Sequence, residues 1–262
     1  MKKIKFNFKK YRFEIYSKPG VWMNQKDLKH LQERLSGIAE KRLKTKPRFS
    51  FFKDVRYLNN KLVVICADKK TKDDCSCCVL SYLGTYRKRS VIHCGAVYSN
   101  AENQGTMKLL YGFAGLYIMI KNLFFRKVYV TSLTHVPKIF GMFSEQFYRV
   151  YPDSRTGREA GNFHLKIKDL FFNTYIKEWD LSELPQIDGS FVIRGFRLQD
   201  DGTMLYPDTV ETVPRHRKVE YNTRCFNLLD YENGDEVFQV GIFPGIFGFI
   251  MKNRRSFRHV PV

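Results

Sequence analysis

The chain has few acidic residues for its size, and it has no long uninterrupted apolar run near its start. Asp and Glu number 26 among 262 residues, against 45 Lys and Arg, which gives a formal net charge of +19. Such an excess favours an acidic partner: nucleic acid, an anionic membrane, or an acidic protein or cofactor. The apolar run that a secretory signal peptide needs after its first residues is broken by Lys5, Lys9 and Lys10, so we expect no signal peptide.

The chain also lacks a cysteine pattern typical of secreted, disulfide-linked domains. Its six cysteines include a close group, Cys75, Cys77 and Cys78. A protein with reduced thiols is therefore expected, cytoplasmic, with a peripheral location at a membrane as the alternative. Three neighbouring thiols could bind a soft metal, but a closed zinc site needs four ligands. We expect no metal and interpret the group as a loop that runs into a strand from Val79 to Tyr82.

No internal repeat and no low-complexity linker is visible in the sequence. Hydrophobic residues make up 44% of the chain and aromatic residues 15%, enough for a substantial core. A chain of this length forms one large domain or two small ones.

The stretch from Val91 to Asp153 organises the predicted fold. A strand from Val91 to Tyr98 leads into a polar turn, Ser99 to Thr106, and then into an apolar helix from Met107 to Leu123. A second strand, Lys127 to Thr131, and a second helix around Val136 to Val150 follow. A glycine-containing turn before a helix exposes backbone N–H groups that stabilise an anion. The pattern predicts a phosphate-binding turn.

The flanking segments predict further strands and helices. Alternating residues from Lys5 to Tyr16 indicate one or two strands. Asn24 is a candidate N-cap for a helix from Gln25 to Leu43. A hairpin of two strands is predicted at Val55 to Leu58 and Leu62 to Ala67, with Asn59-Asn60 as its turn. Later segments predict a helix, Asn162 to Phe172, and strands, Phe191 to Phe196 and Glu236 to Ile242.

Seven basic residues carry more positive charge than the binding of a small cofactor needs. They are spread over the helix after Asn24 and a turn before Val91: Lys26, Lys29, Arg34, Lys41, Arg87, Lys88 and Arg89. They form either a solvated face or a surface that recruits an acidic partner.

At the central stretch the sequence resembles the GNAT superfamily of N-acyltransferases. The order strand, phosphate-binding turn, helix, strand, helix is that of the superfamily. Gly105 matches the first glycine of the superfamily's turn. Glu102 stands where Gln or Arg is usual, and Met107 stands where Gly or Ala is usual. The segment from Thr134 to Phe143 also resembles the helix that follows the fifth strand. The residues from Asn222 to Phe226, with Gly234-Asp235 and the apolar strand after them, resemble members that use long acyl donors.

The resemblance implies an α/β fold with a mixed, largely antiparallel sheet flanked by helices. Residues 1–153 would form the GNAT-like core, with the thioester site at 91–153. Residues 154–262 would form a C-terminal extension that continues or completes the sheet. The implied activity is transfer of an acyl group from an acyl-CoA, or from an acyl-phosphopantetheine on an acyl carrier protein, to an amine.

The implied donor site follows the strand, the turn and the start of the helix. The pantetheine arm would lie along the strand, and a backbone N–H near Val97 would stabilise the oxyanion of the tetrahedral intermediate. The phosphates would lie at the turn. The donor-binding residues on this interpretation are Cys94, Ala96, Val97, Tyr98, Asn103, Gln104, Gly105, Thr106 and Met107.

Three side chains are the candidates for the chemistry. His93 is the candidate base because its ordinary pKa suits proton transfer near neutrality; the alternative is a histidine packed within a strand. Tyr148 and Tyr151, three residues later, are candidate acids. The alternative for both side chains is a packing role. Ser132, with His135, could line the cleft at the end of the fifth strand.

Two other classes of function stay open on the sequence alone. A basic nucleic-acid-binding module would explain the charge, but no zinc finger, helix-turn-helix or RNA-binding aromatic motif is visible. A membrane-surface protein would use the apolar residues Ile246 to Met251 beside the basic residues Lys252 to Arg258. The alternative for that segment is a buried final strand.

Overall fold

The structure, a computed structural model, describes residues 2–43, 50–100, 105–122, 127–175, 187–198, 204, 208–243 and 245. The chain forms two compact units. The first comprises Met1–Leu83, Ile92–Leu123 and Thr174–Asp180; the second comprises Gly84–Val91, Phe124–Asn173 and Leu181–Val262. The predicted division at residue 153 follows chain order and stays a prediction.

The first unit is built on an antiparallel sheet. Its strands are β1 (Lys3–Phe8), β2 (Tyr11–Ser17), β3 (Lys61–Asp68), and most of β4 (Asp74–Tyr86) and β5 (Arg89–Ser99), in the spatial order β1-β2-β3-β4-β5. In the register of these strands, Phe13 lies opposite Cys66, and Ile65 lies opposite Cys77. Successive side chains of a strand point to opposite faces, so the sheet has two apolar faces to cover.

Helices α1 (Gln25–Leu43), α2 (Ser50–Lys53) and α3 (Thr106–Lys121) belong to the same unit. The buried residues of α1, among them Leu31 and Leu35, pack with Val63 and Ile65 on one face of the sheet. On α3, the ring of Phe113 lies 4.7 Å from that of Phe13, whose strand partner is Cys66, so α3 covers the opposite face. The expected helix on the sheet is confirmed.

The second unit holds β6 (Val128–Thr134), β7 (Tyr148–Tyr151), β8 (Val192–Ile193) and β9 (Glu236–Phe243). Strand β9 pairs antiparallel with β6, β7 and β8. Its helices are α4 (Pro137–Gln146), α5 (Asn162–Thr174) and α6 (Val219–Leu228). Phe140 of α4, Cys225 of α6 and Val237 of β9 share one core cluster.

The predicted α/β class with a largely antiparallel sheet is therefore confirmed, and some local predictions are wrong. Val55–Asn60 is a 3-10 helix, not a strand, because the Asp54 side chain accepts a hydrogen bond from the Arg56 N–H and turns the chain. The three clustered cysteines lie within β4 rather than in a loop. Among the described residues, no helix combines the length and the apolar character needed to cross a bilayer.

Candidate donor site and active site

The start of α3 begins with a glycine in a left-handed conformation. Gly105 has φ +94°, which favours glycine, and a Cβ built on it would meet no atom of the described residues within 4 Å. The first N–H groups of an α-helix have no intrahelical acceptor, and glycine has no side chain to cap them. Gly105, which matches the first glycine of the phosphate-binding turn, therefore lies at the positive end of a 16-residue helix.

Hydrogen bonds fix the start of α3 to the end of β5. The hydroxyl oxygens of Ser99 and Thr106 lie 2.9 Å apart, and Thr106 is buried. The Asn100 N–H donates to the carbonyl oxygen of Cys75 on β4 at 3.1 Å. These hydrogen bonds connect the start of α3 to the sheet.

Strand β5 runs close to β4 at Gly95. A Cβ on Gly95 would lie 2.6 Å from the carbonyl oxygen of Val79, so a larger residue here would require a backbone shift. Ala96 and Tyr98, further along the strand, pack into the core on the α1 side. The strand that would carry the pantetheine arm is therefore packed tightly on both sides of Gly95.

His93 lies on β5 in a buried cluster. Its ring centroid is 4.5 Å from that of Tyr175, and the Lys61 ammonium lies 5.0 Å from the Tyr175 ring centroid. Burial, and then the charge of Lys61, lowers the pKa of His93 to about 3. The imidazole is neutral near pH 7, where it can accept a hydrogen bond but holds a proton weakly.

The other candidate side chains belong to the second unit. Ser132 is buried on β6, opposite Gln239 of β9. Tyr148 is 41% exposed at the start of β7. The hydroxyl of Tyr151 donates to the carbonyl oxygen of Gly189 at 3.1 Å.

His135 is held by carboxylates on both sides. Its Nδ1 is 3.2 Å from Glu236 Oε1, and its Nε2 is 2.9 Å from Asp208 Oδ2. Burial lowers the pKa of His135, but the hydrogen bonds to the two carboxylates outweigh burial and raise it above its usual value. The ring thus joins the residue after β6 to β9 and to the segment at Asp208, and the expected place of His135 in the cleft stays a prediction.

The structure brings most of the predicted donor-binding residues together. Cys94, Ala96, Val97 and Tyr98 on β5 and Gly105–Met107 at the start of α3 belong to one unit. Asn103 and Gln104 lie outside the described residues, as do Ile246 to Met251 and the basic residues after them. Their predicted roles stay predictions.

Two residues of the His93 cluster were missed by the sequence interpretation. Lys61 begins β3 and is 1% exposed, and Tyr175 follows α5 and is 3% exposed. Neither carries a local motif, and only folding brings positions 61, 93 and 175 together. Within the described residues, no group of three His, Cys, Asp or Glu side chains is placed to hold a metal ion.

Comparison with known proteins gives structural likenesses only. No protein-family model matches the chain, and no curated protein matches it. The chain is similar to the ribosomal-protein-S5-alanine acetyltransferase of Vibrio fischeri, with 9% identity and a TM-score of 0.38 over 92% of this chain and 97% of that one. An aminoglycoside acetyltransferase, meta-AAC0020, from an uncultured soil metagenomic sample shows 13% identity and a TM-score of 0.33, over 68% of this chain and 93% of that one.

A third similar structure is L-PGS from Bacillus licheniformis, at 13% identity and a TM-score of 0.31. The match covers 42% of this chain and 32% of that one, so the chain spans about a third of that protein's length. The function proposed below therefore rests on the residues of the site.

Proposed function

We propose that this protein is a GNAT-type N-acyltransferase that moves an acyl group from a thioester to an amine. The observation that carries the proposal is the start of α3: a glycine with positive φ, no described atom within 4 Å of a Cβ built on it, and a helix start held at the end of β5 by the Ser99 and Thr106 hydroxyls. A side chain at Gly105 would fill that space, as expected of a cradle for a phosphate. The donor is a coenzyme A thioester or a carrier-bound phosphopantetheine thioester.

The proposed reaction forms one bond and breaks another. The amine nitrogen attacks the thioester carbonyl carbon, the C–S bond breaks, and the proton lost by the amine ends on the departing sulfur. A backbone N–H near Val97 on β5 would stabilise the oxyanion. The amine must arrive neutral, because a protonated amine has no lone pair.

His93 stays the proposed proton acceptor, with a constraint set by its surroundings. Burial and Lys61 keep its imidazole neutral, which is the form that can take a proton from the amine. Tyr148 and Ser132 stay proposed members of the catalytic group. The proposed setting is the cytoplasm.

The proposal is tested by comparing Gly105→Trp with Gly112→Trp. Both glycines have no atom within 4 Å of a built Cβ and both belong to the α3 region, but only Gly105 lies at the helix start. We expect Gly105→Trp to abolish calorimetric binding of coenzyme A, because the indole would occupy the phosphate space. Gly112→Trp should retain the affinity within about twofold, since it is not near the helix N-terminus.

Circular dichroism and thermal unfolding of both variants serve as the control for folding. A tryptophan at positive φ costs about 1–2 kcal/mol of stability, which lowers the melting temperature without abolishing the fold. Equal coenzyme A affinity for the wild type and Gly105→Trp would rule out the site.

A further inference from the structure

Two lysine-rich turns lie side by side at one end of the strands in the first unit's sheet. Lys9 and Lys10 form the turn between β1 and β2, and Lys69, Lys70 and Lys72 lie in the turn between β3 and β4. Tyr11 pairs with Asp68, which brings the turns side by side. The Lys69 N–H donates to the Lys10 carbonyl oxygen, and the Lys69 ammonium to the Lys9 carbonyl oxygen, both at 3.0 Å. We refer to these five residues as the lysine edge.

The lysine edge keeps a net positive charge. All five lysines are exposed, and the two carboxylates of the β3–β4 turn are Asp68 and Asp73. Asp68 accepts hydrogen bonds from the N–H groups of Lys70 and Thr71, which order the turn. Asp74, the next carboxylate, is paired with Arg34 at 2.8 Å. Among the described residues, five ammonium groups against the two carboxylates of these turns leave an excess of about three positive charges on exposed side chains.

The lysine edge lies at the same end of the sheet as the start of α3. Asn100 bonds to Cys75, directly after the lysine-rich β3–β4 turn, and Thr106 bonds to Ser99. Neighbouring strands lie about 4.8 Å apart, so the lysine edge, three spacings from β1 to β4, is about 14 Å wide, and the end of β5 lies one spacing further. Five lysines spread over exposed turns of that width suit an acidic protein surface.

We propose that the lysine edge is the docking surface for an acidic carrier protein that presents its phosphopantetheine thioester to the start of α3. This inference rests on the function proposed above and specifies its donor. The carrier's carboxylates would lie against the two turns, and its prosthetic group would reach Gly105 along the same edge. The attraction between the two surfaces acts through solvent, so it is sensitive to salt.

The start of α1 provides a matched control surface. Lys26 and Lys29 are also exposed lysines of the first unit. The Trp22 indole, just before α1, donates to the Ser17 carbonyl oxygen, and Ser17 pairs with Leu62 at the other end of β3 from Asp68. Lys26→Glu/Lys29→Glu and Lys70→Glu/Lys72→Glu both change the formal net charge from +19 to +15.

The experiment measures binding by calorimetry with three probes: an acidic acyl carrier protein carrying an octanoyl group, octanoyl-coenzyme A, and a single-stranded DNA oligonucleotide. We expect the carrier to bind the wild type at about 50 mM salt and to bind at least about tenfold more weakly at about 200 mM salt. Lys70→Glu/Lys72→Glu should weaken carrier binding by about tenfold, and Lys26→Glu/Lys29→Glu by less than about twofold. Octanoyl-coenzyme A should bind all three proteins within about twofold, because its phosphates contact the helix start.

Other results would overturn the inference. If octanoyl-coenzyme A binds but the carrier does not, or if both double variants weaken carrier binding equally, the docking surface is wrong and the acyltransferase proposal stands. Tighter binding of the oligonucleotide than of the carrier would assign the edge to nucleic acid. If neither thioester binds, the proposed function itself fails.

Discussion

At the scale of single residues, the clearest case is Arg34, which the sequence placed on a basic surface. Its guanidinium donates to both carboxylate oxygens of Asp74 at 2.8 Å and to Glu14 at 3.0 Å, and its side chain is 16% exposed. Glu14 is buried and also accepts a hydrogen bond from the Tyr16 hydroxyl. Arg34 therefore ties α1 to β2 and β4, and it is not available to recruit a partner.

The Glu14 cluster predicts a loss of stability in acid. Burial alone would raise the pKa of Glu14, but hydrogen bonds from Tyr16 and Arg34 lower it from 4.5 to about 2. A carboxylate with a depressed folded-state pKa stabilises the fold above its unfolded pKa and loses that contribution as pH falls through the folded value. Glu14→Gln should destabilise the protein by about 1–3 kcal/mol at pH 7 and by less at about pH 3, measured by urea unfolding.

Glu33→Gln, the same change at an exposed position of α1, serves as the control and should alter stability by less than about 0.5 kcal/mol. If Glu14→Gln cost the same free energy at both pH values, the cluster would owe its stability to packing rather than to charge.

At the scale of elements, the sequence predicted the features that depend on residues close together in the chain. The Asn24 side chain accepts the Asp27 N–H at 2.9 Å, and α1 begins at Gln25 as the cap and its apolar spacing predicted. The close approach of β4 to Gly95 and the 3-10 helix at Val55 were not predictable in this way. The first depends on how β4 packs beside β5, and the 3-10 helix depends on one side-chain hydrogen bond; periodicity records neither.

Helix α4 shows how an element depends on one small residue. A Cβ on Gly141 would lie 2.6 Å from the His216 ring, which is itself buried and bonded to the Lys218 N–H. Gly141→Ala should therefore destabilise the protein by about 1–3 kcal/mol through overpacking. Gly112→Ala in α3, where a Cβ meets nothing within 4 Å, should stabilise it by about 0.5–1 kcal/mol through helix propensity.

Thermal unfolding of the two alanine variants measures both effects. A destabilisation by Gly112→Ala as large as that by Gly141→Ala would show that the ring contact at His216 does not limit α4.

At the scale of the whole molecule, the proposed site joins segments that are distant in the chain. The sequence order placed β5, the turn and α3 together, because they are consecutive, and that part of the candidate site was predictable. Lys61 and Tyr175 reach His93 only through folding of the first unit, in which 174–180 joins the earlier segments. The lysine edge likewise exists only because β2 pairs with β3.

The net charge of +19 can now be divided by location. Part of it is internal, as at Arg34, and part of it lies on the lysine edge beside the start of α3. A total charge favours an acidic partner without naming one, whereas the placement of lysines next to the proposed phosphate site is the basis for the partner proposed above.

The most direct test of the central claim is a backbone amide NMR titration of the protein with coenzyme A. We predict that the largest chemical-shift changes fall on Gly105–Leu109 and on Val97–Asn100, because donor phosphates bind the first N–H groups of α3 beside the end of β5. The amides of Lys26 and Lys29, at the other end of the sheet, should not change. Shifts confined to residues away from the start of α3, or no shifts at saturating coenzyme A, would contradict the account.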